Sequence, residues 1–129
     1  MSKQKGSAAE REIFHILWDN GWAVLRAAGS GSTTEPSCDL LAGKKSARRK
    51  YAIEVKVTKS KTKYLEKKQI EDLIYFCETF GLEPLIAIKF NHKGWFFFHP
   101  SKLRDCGKNL VISLEECEKV GKKLDKFLN

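Results

Sequence analysis

Two carboxylates and a lysine stand in apolar stretches of this sequence at a spacing suited to metal-dependent phosphodiester chemistry. Glu54 and Lys56 alternate with aliphatic residues in the run 53–57, and Asp39 opens the apolar stretch 39–42 fifteen residues earlier. Because side chains alternate between the two faces of a strand, Glu54 and Lys56 are expected on the same face. Mg²⁺ is commonly bound by one or two carboxylates together with phosphate oxygens and water. Asp39 and Glu54 are therefore candidate magnesium ligands, with Lys56 beside the attacking water.

A Glu-x-Lys tripeptide in a strand also has an ordinary structural interpretation. It occurs on solvated sheet faces, where the acid and the base make a cross-strand ion pair. Short motifs carry a high risk of false matches, so the tripeptide alone does not establish catalysis.

The basic residues of the chain are concentrated around these three positions. The net charge is +8, and the segment 44–68 alone contains eleven Lys or Arg against two acids, a balance of +9. Charge runs are often no more than solvated loops. Here the run lies on both sides of Glu54 along the chain, so a polyanion bound through its phosphates would be brought to the carboxylates. Nucleic acid is the predicted substrate, with candidate phosphate contacts at Lys44, Lys45, Arg48, Arg49, Lys59, Lys61 and Lys63.

Length and composition exclude several classes of protein. The 129 residues, 42% of them hydrophobic, are enough for one domain over 1–129 with its own core. No segment approaches the ~18 apolar residues of a membrane span, and the N-terminus lacks an apolar signal segment, so a cytoplasmic protein without a membrane partner is expected. The four cysteines form no C-x-x-C pair and the three histidines no ligand pattern, which disfavours a structural zinc site.

The first third of the chain predicts a helix, a strand and a loop. Apolar spacing over 8–20 is typical of an amphipathic helix with Ser7 as its N-cap. Glu10 follows Ser7 at the capping-box spacing, but it also borders the apolar stripe, so a capping role and a functional role are both open. A strand is expected over 22–26. The small, turn-rich segment 27–36 is then either a loop that closes over a bound backbone or a linker without function.

The remaining elements indicate a sheet flanked by helices. Predicted in order are strands over 37–42 and 51–57 joined by a basic turn, an irregular connection over 58–65, a helix over 66–80, a hairpin of strands 85–90 and 95–99, a short strand over 110–112, and a helix from its cap Ser113 to 128 with Leu114, Cys117, Val120 and Leu124 inward. The aromatic run 95–98 is expected in the core. This order predicts an α/β fold with a central mixed β-sheet of about five strands flanked by α-helices.

The helix predicted over 66–80 carries more apolar surface than one packing contact requires. Ile70 and Leu73 have the spacing of a buried stripe, whereas Tyr75, Phe76 and Phe80 widen the apolar arc. A homodimer contact accounts for the excess, and fuller burial within the monomer is the alternative.

In combination and in this order, the motifs resemble those of the archaeal Holliday-junction resolvases, a branch of the restriction-endonuclease-like superfamily. The resemblance extends from the start of the chain through the predicted hairpin and is weak over the last thirty residues. It rests on Lys5-Gly6, Ala9-Glu10-Arg11-Glu12, Arg26 with Ala28-Gly29-Ser30, Asp39-Leu40, Ile53-Glu54-Val55-Lys56-Val57-Thr58 and the stretch 85–95.

The resemblance implies a restriction-endonuclease-like fold and a Mg²⁺-dependent endonuclease, for which Mn²⁺ could substitute. Such an enzyme acts as a symmetric homodimer that nicks two opposed strands of a four-way DNA junction during recombination and repair. Carried over to this chain, Asp39 and Glu54 would hold the metal and Glu10 would complete the acidic cluster. Lys56 would orient or deprotonate the attacking water, and Ser30 would be a catalytic loop serine.

The resemblance also implies DNA contacts outside the basic run. Arg11 and Arg26 would grip phosphates near the scissile bond, Lys5 would contact the DNA, and Gln69 stands where related nucleases place a helical glutamine. Two alternatives to a junction resolvase are a nuclease of the same superfamily that cuts or nicks ordinary duplex, and a DNA-binding module without chemistry. Junction specificity comes from the resemblance alone.

Overall fold

The computed structural model describes the backbone of residues 2–27 and 34–129, and the side chains of these ranges from residue 7 onward. Within them the helices are α1 (Ser2–Asp19), α2 (Lys67–Phe80), α3 (Leu114–Val120) and α4 (Leu124–Leu128). The strands are β1 (Ala23–Arg26), β2 (Leu40–Lys44), β3 (Arg49–Thr58), β4 (Thr62–Glu66), β5 (Glu83–Phe90), β6 (Gly94–Phe98), β7 (Arg104–Asp105), β8 (Asn109–Ser113) and β9 (Lys122–Lys123). One-turn 3₁₀ helices lie at Lys45–Ala47 and Pro100–Lys102.

The described strands form a central mixed sheet in the order β1-β2-β3-β5-β6-β9. Its first five strands are the predicted ones, and the two-residue β9 is an addition at the edge. β3 and β5 pair in parallel, from Tyr51 opposite Glu83 to Thr58 opposite Phe90, and the other neighbours are antiparallel. A parallel pair needs a crossover connection, which β4 and α2 supply here.

Helices cover both faces of this sheet, so both faces are apolar at its centre. On one face α1 and α4 pack on alternate residues of β3, among them Ile53 and Val55. On the other face α2 and α3 pack on β3, β5 and β6 through residues such as Ala52 and Ile86. The aromatic run of β6 is buried on both faces, as predicted, because consecutive side chains enter opposite cores.

The C-terminal region differs from the single helix predicted over 113–128. Ser113 does cap α3, and its capping-box partner is Glu116, with Glu116 N donating to Ser113 Oγ at 3.1 Å. The helix then ends at Gly121, where an added Cβ would lie 2.8 Å from the Cys117 carbonyl oxygen. Glycine permits this close approach, and the chain runs on into β9 and α4. Val120, predicted to face inward, is exposed.

α4 has a packing role that its length does not suggest. Phe127 is buried and stacks on Phe97 with ring centroids 4.2 Å apart and on Trp22 at 5.2 Å. Aromatic contacts of this kind add to the free energy of area burial, so the C-terminus is joined to the core on the α1 face.

Two local predictions in the first half of the chain are wrong. α1 begins at Ser2, so Ser7 lies inside the helix and cannot be the N-cap of a box with Glu10. The connection predicted over 58–65 contains β4, which pairs with β8 in a second, three-stranded sheet of order β4-β8-β7. Alternation in β4 is obscured by lysines, and its partner lies about fifty residues further along the chain, beyond the reach of local pattern.

The described helices include none that is both long enough and apolar enough to cross a lipid bilayer.

Candidate active site

The antiparallel pairing of β2 and β3 brings Asp39 to Glu54. Leu40 stands opposite Ile53, and the Asp39 backbone N–H donates to the Ile53 carbonyl at 3.0 Å. The Asp39 carboxylate then accepts a hydrogen bond from the Val55 backbone N–H at 2.8 Å. A carboxylate that accepts a backbone N–H at the end of a ladder is held in one direction. The structure thus brings Asp39 to the strand that carries Glu54.

Glu54 is the most unusual residue of the site because its charge is taken out of water. It is 4% exposed and faces α2 from the middle of the sheet. Burial, and next the charge of Asp39, raises the pKa of Glu54 to about 8. Burial likewise raises the pKa of Asp39, against the Val55 N–H and the charge of Lys56, which lower it. Because the charge of Asp39 disfavours a charge on Glu54, the pair is stabilised either by a proton on Glu54 or by a bound cation.

Lys56 leaves β3 on the same face as Glu54, as the alternation predicted. Its Nζ lies 3.5 Å from Glu54 Oε2 and donates to Gln69 Oε1 at 2.6 Å. Gln69 is in the first turn of α2. The resemblance singled out Gln69 as a helical glutamine but did not give this contact, since the crossover connection decides which turn of α2 reaches β3.

Glu10 lies at the border of the pair. Its Oε1 is 3.4 Å from Arg26 Nη2 on β1. Burial, and next the charge of Asp39, raises the pKa of Glu10, while Arg26 and the exposed Arg11 lower it. Glu10 is thus close enough for the charge of Asp39 to raise its pKa, yet it forms an ion pair with Arg26. Its role as a metal ligand stays a prediction.

The donor set fits Mg²⁺ through two carboxylates. Among the described residues no three His, Cys, Asp or Glu side chains are grouped closely enough to enclose a metal ion. Mg²⁺ does not require such a cage, because it keeps several waters and is usually bound by one or two carboxylates plus substrate phosphates. Asp39 and Glu54, whose charges repel each other, are a pair that a cation would stabilise.

An open cleft of about 730 Å³ adjoins the carboxylates at Lys56. Its lining comes from α1, from the end of β3 and the residue after it, from β4, and from the end of β5 and the residue after it. Its lining residues are Ala8, Ala9, Glu12, Val55, Lys56, Val57, Thr58, Lys59, Lys63, Lys89 and Asn91. Lys89 and Asn91 were missed from the sequence; the one signal for Lys89 is a lone charge in the apolar run 85–90.

The predicted phosphate contacts fall into two separated groups. Lys59, Lys61 and Lys63 follow the end of β3 at the carboxylates, where Lys59 and Lys63 line the cleft. Lys44, by contrast, lies at the other end of β2, roughly 13 Å from Leu40 at ~3.3 Å per residue. The basic run therefore does not surround the carboxylates in space as it does along the chain.

Two residues of the distant group have contacts within the protein. Lys44 Nζ donates to the Asn20 carbonyl at 3.2 Å, after the end of α1, and Arg49 Nη1 donates to the Phe127 carbonyl at 3.3 Å. Lys45 and Arg48 in the same turn are exposed. Ser30 lies outside the described residues, as does the side chain of Lys5, so both stay predictions.

Comparison with known proteins gives consistent matches over nearly the whole chain. A family model described as archaeal Holliday junction resolvase (Hjc) matches residues 1–129. The crossover junction endodeoxyribonuclease Hjc of Methanocaldococcus jannaschii is 46% identical over 110 residues, 84% of this chain and 76% of the relative. That of Archaeoglobus fulgidus is 39% identical over 110 residues, 85% of this chain and 79% of the relative.

The fold matches as well. The crystal structure of Archaeoglobus fulgidus Hjc superposes with a TM-score of 0.86 at 32% identity, covering 96% of this chain and 100% of that one. The restriction-endonuclease-like fold expected from the resemblance is therefore confirmed. The match also includes the C-terminal region, where the motifs alone were weak.

Replacing Glu54 with Gln is expected to stabilise the metal-free protein at pH 8. A raised pKa means that the stability contributed by Glu54 is fully present below its ordinary value of 4.5 and is lost as the pH rises to about 8. In urea unfolding with chelator, the free energy of unfolding of Glu54→Gln should thus increase relative to that of wild type as the pH rises from 5 to 8. Mg²⁺ at pH 8 should raise the midpoint of wild type and leave that of Glu54→Gln almost unchanged.

The exposed Glu71→Gln on α2 is the matched control, since it makes the same chemical change away from the site. It should behave as wild type in both comparisons. A Glu54→Gln protein less stable than wild type at pH 8 without metal would contradict this account of the carboxylate pair.

Proposed function

The chain belongs to the archaeal Holliday junction resolvase family, and from this premise we propose that it cuts four-way DNA junctions as a homodimer, making two symmetric, Mg²⁺-dependent nicks. The enzyme is an endonuclease of DNA junctions, and recombination and repair are the processes that such an enzyme serves. The observation that carries the proposed mechanism is the pair formed by the buried Glu54 and the half-buried Asp39, with Lys56 on the same face as Glu54. Mn²⁺ is the expected substitute for Mg²⁺ because it accepts the same oxygen ligands.

Asp39 and Glu54 would hold the cation, which would neutralise developing charge on the scissile phosphate. Their own part in the reaction is to present fixed oxygen donors, of which those of Glu54 are taken out of water. Because Asp39 is held by the Val55 N–H and Glu54 by burial, neither has to reorganise when the substrate arrives. Glu10 would add negative charge at the border of the site, where Arg26 limits its movement.

Lys56 would orient the attacking water and stabilise the negative charge of the transition state. Its ammonium group is between two acceptors, Glu54 Oε2 and Gln69 Oε1. Water attacks phosphorus, the bond to the leaving oxygen breaks, and one strand is left with a nick. Gln69 does not reach the reacting atoms in this scheme and acts as a positioning residue for Lys56.

A homodimer would provide the two sites that paired nicks require, since two opposed strands of a junction are themselves related by two-fold symmetry. The surface that we propose for this contact is the α2 aromatic patch, formed by Tyr75, Phe76 and Phe80. Tyr75 and Phe80 are each 60% exposed, and Phe76 packs on Phe80 at 5.4 Å between ring centroids. Aromatic residues are enriched at the buried centres of interfaces.

The cytoplasm is the expected location, because the enzyme must reach chromosomal junctions.

The decisive experiment compares a labelled four-way junction with its linear duplex arms, at matched salt, in Mg²⁺ and in chelator. Wild type should make paired nicks at symmetric positions in the junction only, and only with Mg²⁺. Glu54→Gln should bind the junction and reduce cleavage by at least about 100-fold, while Glu71→Gln should cut as wild type does. Equal cutting of the duplex would indicate a general nuclease, and wild-type binding without cutting would indicate a DNA-binding module.

Loss of the Gln69 acceptor should lower the chemical rate and leave junction affinity unchanged. In Gln69→Leu we expect a decrease of about 10- to 100-fold in the single-turnover rate at saturating enzyme, because Lys56 is no longer held in place. Gln69→Glu keeps an acceptor for Lys56 and should recover part of the rate, with a changed pH–rate profile. Equal losses in both variants, or a loss of affinity alone, would contradict a positioning role.

A charged residue in the α2 aromatic patch should separate the protomers. Phe80→Lys is expected to be a folded monomer by light scattering and to lose paired nicking, because an unpaired ammonium would be buried at the contact. Val120→Lys, a similar change at an exposed position on α3, is the control and should stay dimeric. A dimeric Phe80→Lys protein would place the interface elsewhere on the chain.

A further inference from the structure

Four lysines line the cleft beside the carboxylate pair, and they differ in whether the protein provides an ion-pair partner. Lys56 is engaged by Glu54 and Gln69. Lys89 Nζ lies 2.6 Å from Glu12 Oε1, whose other oxygen accepts from the Trp95 indole at 3.0 Å. Lys59 and Lys63 make no ion pair with any residue that the structure describes. The cleft therefore contains two lysines whose charges are not neutralised by the part of the chain that the structure describes.

Lys63 is the more constrained of these two. Along β4, Tyr64 and Glu66 face outward, whereas Lys63 shares its face with the buried Leu65. Pairing of Lys63 with Ile112 on β8 holds the strand in this orientation. A lysine thus occupies a position that strand alternation assigns to the interior, while the exposed Lys59 lies in the turn after β3.

The surroundings of Lys63 do not favour its charge. Burial, and next the charge of Lys56, lowers the pKa of Lys63. A partly desolvated ammonium group near a like charge lowers the stability of the free protein unless an anion binds there. The remainder of the cleft admits an anion, because Glu12 is already neutralised by Lys89 and the wall formed by Ala8 and Ala9 is small and uncharged.

We propose that Lys63 binds a backbone phosphate next to the reacting one, so that the cleft is the subsite for the strand that is cut. Lys56 would stay with the carboxylates and the reacting phosphate, and Lys63 would fix the neighbouring phosphate and hence the register of the strand. The assignment rests on the proposed function, which supplies DNA as the polyanion. It adds a residue that selects the position of the cut through the phosphate backbone, not through base contacts.

The test uses four-way junctions that each carry one methylphosphonate, an uncharged replacement for a phosphate, at successive positions around the scissile bond. Affinity for each is measured in chelator with wild type and Lys63→Met. At one position beside the scissile bond, the replacement should weaken junction binding by wild type about tenfold. It should not weaken junction binding by Lys63→Met, because that variant lacks the ammonium group that pairs with the phosphate. The Lys63→Met salt dependence should also be shallower by about 0.9 in the slope of log affinity against log salt.

Two further variants keep the result interpretable. Lys119→Met on α3 removes the same charge away from the cleft and should retain the wild-type pattern at every position. Lys63→Arg keeps a cation and should retain the coupling at the same position. Unfolding in urea should show Lys63→Met at least as stable as wild type, because the mutation removes the repulsion by Lys56.

Penalties that are additive at every methylphosphonate position would overturn the assignment of Lys63. The coupling is read from binding in chelator and does not require cleavage. If wild type bound junctions but never cut them with Mg²⁺, the proposed function would fail. The assignment of Lys63 would still be decided by whether its mutation and the methylphosphonate have non-additive effects on binding.

Discussion

The hydrogen bond from the Val55 backbone N–H to the Asp39 carboxylate is the contact on which the rest of the site depends. It occurs where the ladder between β2 and β3 ends, so the carboxylate takes the position of the next backbone acceptor. Asp39 is thereby fixed relative to β3, and Glu54 and Lys56 are fixed by the strand itself. Three functional groups from two segments of the chain thus keep their relative positions without a loop having to order them.

This arrangement carries an electrostatic cost that is itself informative. Burial raises the pKa of both carboxyl groups, and the charge of Asp39 raises that of Glu54 further. A protein selected for stability alone would have no reason to retain such a pair. The same situation occurs with positive charges at Lys63, whose ammonium group is partly buried near that of Lys56. A bound cation would relieve the repulsion between Asp39 and Glu54, and a bound phosphate would relieve that between Lys63 and Lys56. Both ligands would therefore stabilise the folded protein.

The architecture explains why this cost can be tolerated. β3 lies in the middle of the sheet, covered by α1 on one face and α2 on the other, and its parallel pairing with β5 extends over eight residue pairs. The strand that presents Glu54 and Lys56 is therefore among the best supported in the molecule. Stacking of Phe127 between Trp22 and Phe97 adds the C-terminus to the same core. The charged groups lie at one end of this rigid unit, beside a cleft that is open to solvent.

What could be determined from the sequence was local or repeated in short patterns. Period-two alternation placed Glu54 and Lys56 on one face, helical spacing identified α2, and the order of elements identified a mixed sheet with helices on both sides. The motifs also sufficed to recognise the family, because its functional residues lie in short segments of fixed type. The misjudged Ser7 cap shows the limit of such patterns, since a capping box and the interior of a longer helix have the same local spacing.

Only the tertiary structure decided which distant residues meet. The sequence could not show that β4 is a strand, because its partner β8 is remote in the chain and lysines obscure its alternation. Nor could it divide the basic run into one group at the cleft and another at the far end of the β2–β3 hairpin. The contact of Gln69 with Lys56 and the inward position of Lys63 follow from the crossover and from the second sheet. These contacts depend on pairing and packing between segments far apart in sequence, and no local pattern of residues encodes them.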